Sequence, residues 1–173
     1  MATFIKIASY TVGAGGTTSF TFSNIPQTYT DLCLKISDRG NRSGTFYSNT
    51  SIKINNDGSL IYDWNWLRNY SGTVSGLSST NDYDLSWYSS SSAGDASTFG
   101  NTEIYIPNYT SSNYKSISYD SVVEQNSTSC FNLFAAYLYR STNAITSLVV
   151  TGSANNYTIQ ENSTYTLYGI SKS

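Results

Sequence analysis

Apolar and polar residues alternate with period two along most of this chain, and that pattern constrains the fold more than any other feature. Phe20 and Phe22 share one face, as do Leu32, Leu34 and Ile36. Ile52 and Ile54 lead into Asn55-Asn56-Asp57-Gly58, where Asp-Gly supports the positive φ angles of a tight type I′ hairpin turn. The expected partner strand carries Leu60, Tyr62, Trp64 and Trp66 on one side and Ile61, Asp63, Asn65 and Leu67 on the other. The pattern returns at Tyr83-Leu85-Trp87, Ile104-Ile106, Ile117 to Val123, Phe131 to Tyr139, Ile145 to Val150 and Tyr165 to Ile170. Such spacing puts successive side chains on opposite faces of a sheet. No long apolar stripe of period 3.6 competes with it, so helix is at most a minor element.

Roughly nine or ten short strands with turn signals between them predict an all-β fold, a single antiparallel β-sandwich spanning residues 1–173. A jelly roll is the expected topology, with an up-and-down barrel as the alternative. Two stretches break the alternation. Ser71 to Asp82 and Ser89 to Ser97 are rich in Ser and Gly and offer little to bury, so both read as exposed loops. Gly13-Ala14-Gly15-Gly16, lying between two strands, reads as a hairpin turn rather than a phosphate loop.

Charge is sparse: nine basic and eleven acidic residues leave a net charge of -2. No basic cluster exists to neutralise phosphates, which argues against nucleic-acid binding. No apolar run approaches the ~20 residues of a membrane-crossing helix, and clustered cations for a membrane surface are also missing. Solubility rests instead on neutral Ser, Thr and Asn, about 40% of the chain. A strand pattern begins almost at once and Lys6 interrupts the first residues, so a signal peptide is not expected. Cys33 and Cys130 permit one disulfide without requiring it, buried free thiols being the commoner state.

Histidine is absent, which removes the usual general base at neutral pH and the commonest metal ligand. Serine and cysteine hydrolase triads and histidine-based zinc sites are thereby excluded. A glycosidase needs only two carboxylates, for which Glu103, Asp120 and Glu124 are the strand-borne candidates. Asp82 and Asp84 flank Tyr83 and could meet a calcium ion with nearby loop oxygens, although a solvated strand edge gives the same pattern. Neither set amounts to a motif. The reading is therefore of a non-enzyme with no catalytic residues, no metal site and no cofactor.

The aromatic residues offer more. Tyr62, Trp64 and Trp66 at spacing two, with Trp87 and Tyr88, fit either a core-facing row or an exposed platform that stacks on sugar rings. Leu60 on the same face, with Asp63 and Asn65 opposite, favours the core. If a glycan is bound, its contacts would be Trp64, Trp66, Trp87 and Tyr88.

Several segments are similar to those of known proteins. Phe20-Thr21-Phe22-Ser23-Asn24-Ile25-Pro26-Gln27-Thr28-Tyr29-Thr30-Asp31-Leu32 resembles a stretch found in small structural proteins of marine and freshwater tailed phages, including cyanophages. Phe99 to Tyr109, Ser111 to Ser116, Ala144 to Leu148 and Thr166 to Ile170 resemble the same group, in order along the chain. The resemblance implies a virion protein, assembled in the host cytoplasm and carried on the capsid surface or the tail. It implies no catalytic residues. The leading expectation is a capsid decoration or cement protein that binds the major capsid protein or other virion proteins, stabilises the assembled head and self-associates, as a trimer in the simplest case. The alternative is a tail-fibre or tail-tip adhesin domain that binds host surface glycans.

Overall fold

The computed structural model describes residues 3–152 and 157–171. Among the described residues there are twelve strands and no helix. Eight of the strands pair in nested order, the first with the last and so inward. β1 (Thr3–Thr11) pairs with β12 (Thr164–Ser171), and β2 (Ser19–Phe22) with β11 (Leu148–Gly152). β3 (Asp31–Gly40) pairs with β8 (Gly100–Ile106), and β4 (Tyr47–Ile54) with β7 (Leu85–Ser91). All four pairings are antiparallel. A long nested hairpin of this kind, rolled so that alternate pairs fall into two sheets, is a jelly roll. One sheet runs β1-β12-β3-β8 and the other β2-β11-β4-β7, with a short parallel join where Arg39 and Gly40 meet Ser90 and Ser91.

The alternation thus builds the sandwich it predicts, with twelve strands instead of nine or ten. The four strands beyond the nested eight come in two inserted hairpins. β5 (Tyr62–Tyr70) and β6 (Thr73–Asp82) lie between β4 and β7 in sequence, while β9 (Lys115–Glu124) and β10 (Cys130–Tyr139) lie between β8 and β11. Both add to the β8 edge in the order β9-β10-β5-β6, giving the first sheet eight strands. The extension curls over β7. Trp87 and Tyr88 point to opposite faces of β7, yet both are buried. Trp87 faces Asp38 of β3, and Tyr88 packs on Phe131 of β10 with ring centres 4.2 Å apart.

Four local expectations need correction. Ser71 to Asp82 is not a loop: Ser71 and Gly72, both at positive φ, form a two-residue turn, and β6 then runs back along β5. Its residues bury little because it is an edge strand, and main-chain pairing rather than apolar packing keeps it extended. Within Ser89 to Ser97, Ser89, Ser90 and Ser91 complete β7 and are fully buried. The remainder is a turn held by Arg39, whose guanidinium donates to the carbonyls of Gly94 (3.2 Å), Asp95 (2.8 Å) and Thr98 (2.8 Å). The turn after β4 exists, but Asn55 and Asn56, not Asp57-Gly58, take the positive φ angles, and β4 and β5 do not form a hairpin. Ile54 stays in register with Leu148, while the Asn55 carboxamide oxygen accepts from the main-chain N–H groups of Thr146 and Ser147. The chain then crosses to the other sheet. Gly13 to Gly16 likewise turns the chain between sheets, since β1 and β2 belong to different ones.

Candidate functional site

The rings singled out from the sequence are mostly interior. Tyr62 and Trp87 are fully buried, Tyr88 and Trp66 nearly so, and Trp64 half-buried. Trp64 stacks on Trp66 with centroids 4.2 Å apart, and Trp66 meets Tyr88 edge-on. The Trp87 indole N–H donates to Asp38 Oδ2 at 3.1 Å, and that of Trp64 donates to Asp82. A sugar could reach Trp66, Trp87 or Tyr88 only by displacing β-sheet packing. Trp64 alone presents free ring surface. The alternation along β5 reflects a core-facing row, which closes off three of the four expected glycan contacts.

An open concavity of about 580 Å³ lies on the other side of the same strands. Its floor is the outer face of the eight-stranded sheet, and Leu67, Phe134, Ala136, Tyr105, Asp120 and Glu103 line it. Register explains the assembly: Leu67 faces Phe134 across β5–β10, Phe134 faces Asp120 across β10–β9, and Asp120 faces Glu103 across β9–β8. Phe134 is 63% exposed and Leu67 54%, unusual for large apolar side chains in mid-sheet. Neither was singled out as a site residue from the sequence. The signal was present, because Phe131, Leu133 and Ala135 set the inward parity of β10 and leave Phe134 pointing out.

Glu103 takes a salt bridge from Lys35, Nζ to Oε2 at 2.9 Å. The Asp120 carboxyl is pushed above its ordinary value, first by partial burial and then by the neighbouring Glu103 charge. Directly opposed strand residues hold their Cβ atoms ~5 Å apart, side by side on one surface. Glu103 and Asp120 therefore address a bound group from the same side, whereas glycoside hydrolysis needs carboxyls flanking the bond. Glu124 is four residues beyond Asp120 on β9, ~13 Å along the strand at 3.3 Å per residue. What the pair can do is accept hydrogen bonds from hydroxyl or cationic donors. Close by, the Tyr105 hydroxyl donates to Asp31 Oδ2 at 2.7 Å, and that hydrogen bond, ahead of burial, pushes it up to about 12.

Asp82 is occupied by the Trp64 indole, and burial raises the Asp84 carboxyl above its usual range. Among the described residues no three His, Cys, Asp or Glu side chains gather as a metal would require. Both cysteines are free thiols. Cys33 is buried and pushed up to about 12, by burial first and then by Glu103.

Elsewhere the buried cations serve the loops. Lys115 is buried, and its Nζ donates to the carbonyls of Ser111 (2.8 Å), Ser141 (3.2 Å) and Asn143 (2.6 Å). Burial lowers its affinity for the proton. With Arg39 it ties three surface turns to the sandwich through main-chain oxygens. Compared with the known protein families and with characterised proteins, the chain matches none.

Proposed function

We propose that this chain is a non-enzymatic structural protein of a tailed-phage particle, working as a decoration or cement protein on the assembled head. The observation that carries this reading is how the polar and aromatic residues are spent. Interior rings, Arg39 and Lys115 lock strands and turns together, while the exposed outer sheet face carries Leu67, Phe134 and Val122 beside the Asp120 carboxyl and the Lys35–Glu103 ion pair. A rigid body with a broad, partly apolar face suits adhesion to a repeating shell, where binding confined to the assembled state stabilises that state by mass action. The resemblance of Phe20 to Leu32 and of Phe99 to Tyr109 to phage structural proteins supplies the particle. The test is co-sedimentation of purified protein with expanded, undecorated heads, followed by thermal opening of the shell. Binding with a raised opening temperature is expected. Failure to bind such heads sinks the proposal.

The concavity favours one second reading, the tail adhesin. An exposed ring beside Asn65, Asp120 and Glu103 has the make-up of a sugar-binding surface, with a stacking face and planar acceptors around it. On that reading Phe134→Ala and Asp120→Asn abolish retention on a host-glycan array while melting temperature stays within a few degrees.

A further inference from the structure

A sheet edge exposes a row of unpaired main-chain groups, and folded proteins protect such edges against joining other chains. Three edges of this sandwich are protected. β1 carries Lys6 and a register shift between Lys6 and Ala8. β2 is only four residues long. β7 is covered by hydroxyls of the inserted strands: Tyr119 donates to Ser86 O at 2.7 Å, Ser121 donates to Tyr88 O at 2.8 Å, and Ser86 N–H donates to the Tyr137 hydroxyl at 3.3 Å.

The fourth edge, β6, has none of these devices from Thr73 to Ser79. It runs ten residues, Thr73–Asp82, and among the described residues pairs only with β5. It holds no Lys, Arg or Pro, and its only charge is Asp82 at the end. The one register irregularity sits near that same end, opposite the stretch between Tyr62 and Trp64. Val74 is 68% exposed and Leu77 40%. A long, straight, uncharged edge with apolar side chains marks a site of strand addition.

We propose that β6 pairs antiparallel with β6 of a second copy about a twofold axis at Leu77, joining two eight-stranded sheets into one. The hairpin geometry fixes the register. A two-residue turn makes Tyr70 and Thr73 its first hydrogen-bonded pair, so main-chain groups of Thr73, Ser75, Leu77 and Ser79 turn toward β5. Those of Val74, Gly76 and Ser78 turn to the open edge. An axis at Leu77 sets Gly76 opposite Ser78, so both central edge-facing residues find a partner in each copy, and Val74 falls opposite Thr80, where the register irregularity begins. Moving the axis by two residues strands some of them. It also brings the two Leu77 side chains together at a close, non-hydrogen-bonded position. Because Leu77 lies opposite Trp66, each one extends its own copy's tryptophan row to the seam.

The occupant is a second copy for two reasons. Thr73 to Asn81 carries no charge, so like copies meet without repulsion. A threefold ring would have to join β6 to a different edge of its neighbour, and the other edges of this chain are blunted or covered. The pairing stands whichever particle surface the protein occupies.

Sedimentation equilibrium from micromolar to millimolar protein tests it. The expected mass is twice the 19.0 kDa of one chain. Ser78→Pro deletes only an edge-facing N–H, and Leu77→Lys sets two like charges face to face. Each is expected to weaken association at least tenfold while β-sheet circular dichroism is retained. In a Cys130→Ser background, Leu77→Cys should form a disulfide-linked dimer in air, because residues at such a position lie within bridging distance. Ser75→Cys should not, since it would meet Ser79. A monomer at every concentration, a trimer, or a dimer indifferent to both edge variants overturns the proposal. So does cross-linking through Ser75→Cys in preference to Leu77→Cys. The monomeric outcome would assign the edge to a strand from another protein.

Discussion

Strands β6 and β7 follow one another in the chain and draw on the same small hydroxylated residues, yet β6 has no buried residue and β7 is buried at all but one. Their hydroxylated residues barely differ, Ser75, Ser78, Ser79 and Thr80 in one and Ser86, Ser89, Ser90 and Ser91 in the other, although β7 adds Leu85, Trp87 and Tyr88. What differs is position in the nested pairing. β7 is the innermost return of the jelly roll, with β3 against one face and the inserted strands over the other, so even its serines are enclosed. β6 is the last strand added to an open sheet. Small polar residues are tolerated in both because a hydroxyl can satisfy itself locally. Thr50 donates to Ser89 at 3.3 Å and Thr102 donates to Ser121 at 2.8 Å, inside the sandwich. For the serines, enclosure here follows topology.

The sharpest way to break this contrast is to remove the ring that β7 contributes to the core. Trp87 is fully buried, so Trp87→Ala loses its packing and leaves Asp38 without an indole donor. A loss of about 3–5 kcal/mol in unfolding free energy is expected from chemical denaturation. If Trp87→Ala costs no more than an exposed β6 substitution, the two strands do not differ as described.

Asp38 gives the next largest effect. Its carboxyl is fully buried, with Trp87 and Tyr165 as donors to Oδ2 and no hydrogen-bond partner at Oδ1. Burial pushes it up from 3.8 to about 6, only partly offset by the donors. A raised folded value means that the unfolded chain gives up this proton first as pH rises. The contribution of Asp38 is thus most favourable below pH 3.8, falls between about 4 and 6, and stays low above 6. Two pH units at ~1.4 kcal/mol each put that fall at about 3 kcal/mol. Asp38→Asn should flatten the profile between pH 4 and 7 relative to the parent chain, measured by urea unfolding at each pH. A parallel decline in both proteins would remove Asp38 as its source.

The same comparison shows where the sequence was legible. Period-two runs such as Leu32-Leu34-Ile36 and Phe131-Leu133 revealed both the strands and their inward faces, because large apolar side chains recur on one side of each strand. β6 and the end of β7 carry no alternating apolar signal. In β6 both faces see solvent, and in β7 serines fill a space already bounded by Trp87 and Tyr88. The turn at Asn55-Asn56 was visible, but its failure to form a hairpin depends on Leu148, ninety-odd residues away, claiming Ile54. For the site, Trp64 and Trp66 showed as a row. Asp63 and Asn65 on the opposite face already favoured the core for that row, and the inserted strands folding back over β7 are what enclose it. Phe134 and Leu67 show the converse: their outward parity could be read, but not the register that sets them beside Asp120 and Glu103.

The smallest effect tests the open strand itself. Val74 is 68% exposed and shares the outer face with Gly76 and Ser78, so Val74→Thr keeps the β-branched shape while removing one apolar group from solvent. At protein concentrations low enough to hold single chains, a change within about 0.5 kcal/mol is expected. A larger loss under those conditions would mean that Val74 is packed within its own chain. At concentrations where copies pair, Val74→Thr should also leave association nearly intact, because the main-chain partners opposite Thr80 are untouched. Ser78→Pro, which barely alters the apolar surface, should abolish it. That inversion, with the more hydrophobic position mattering less than an edge-facing N–H, separates strand pairing from simple hydrophobic sticking at the same edge.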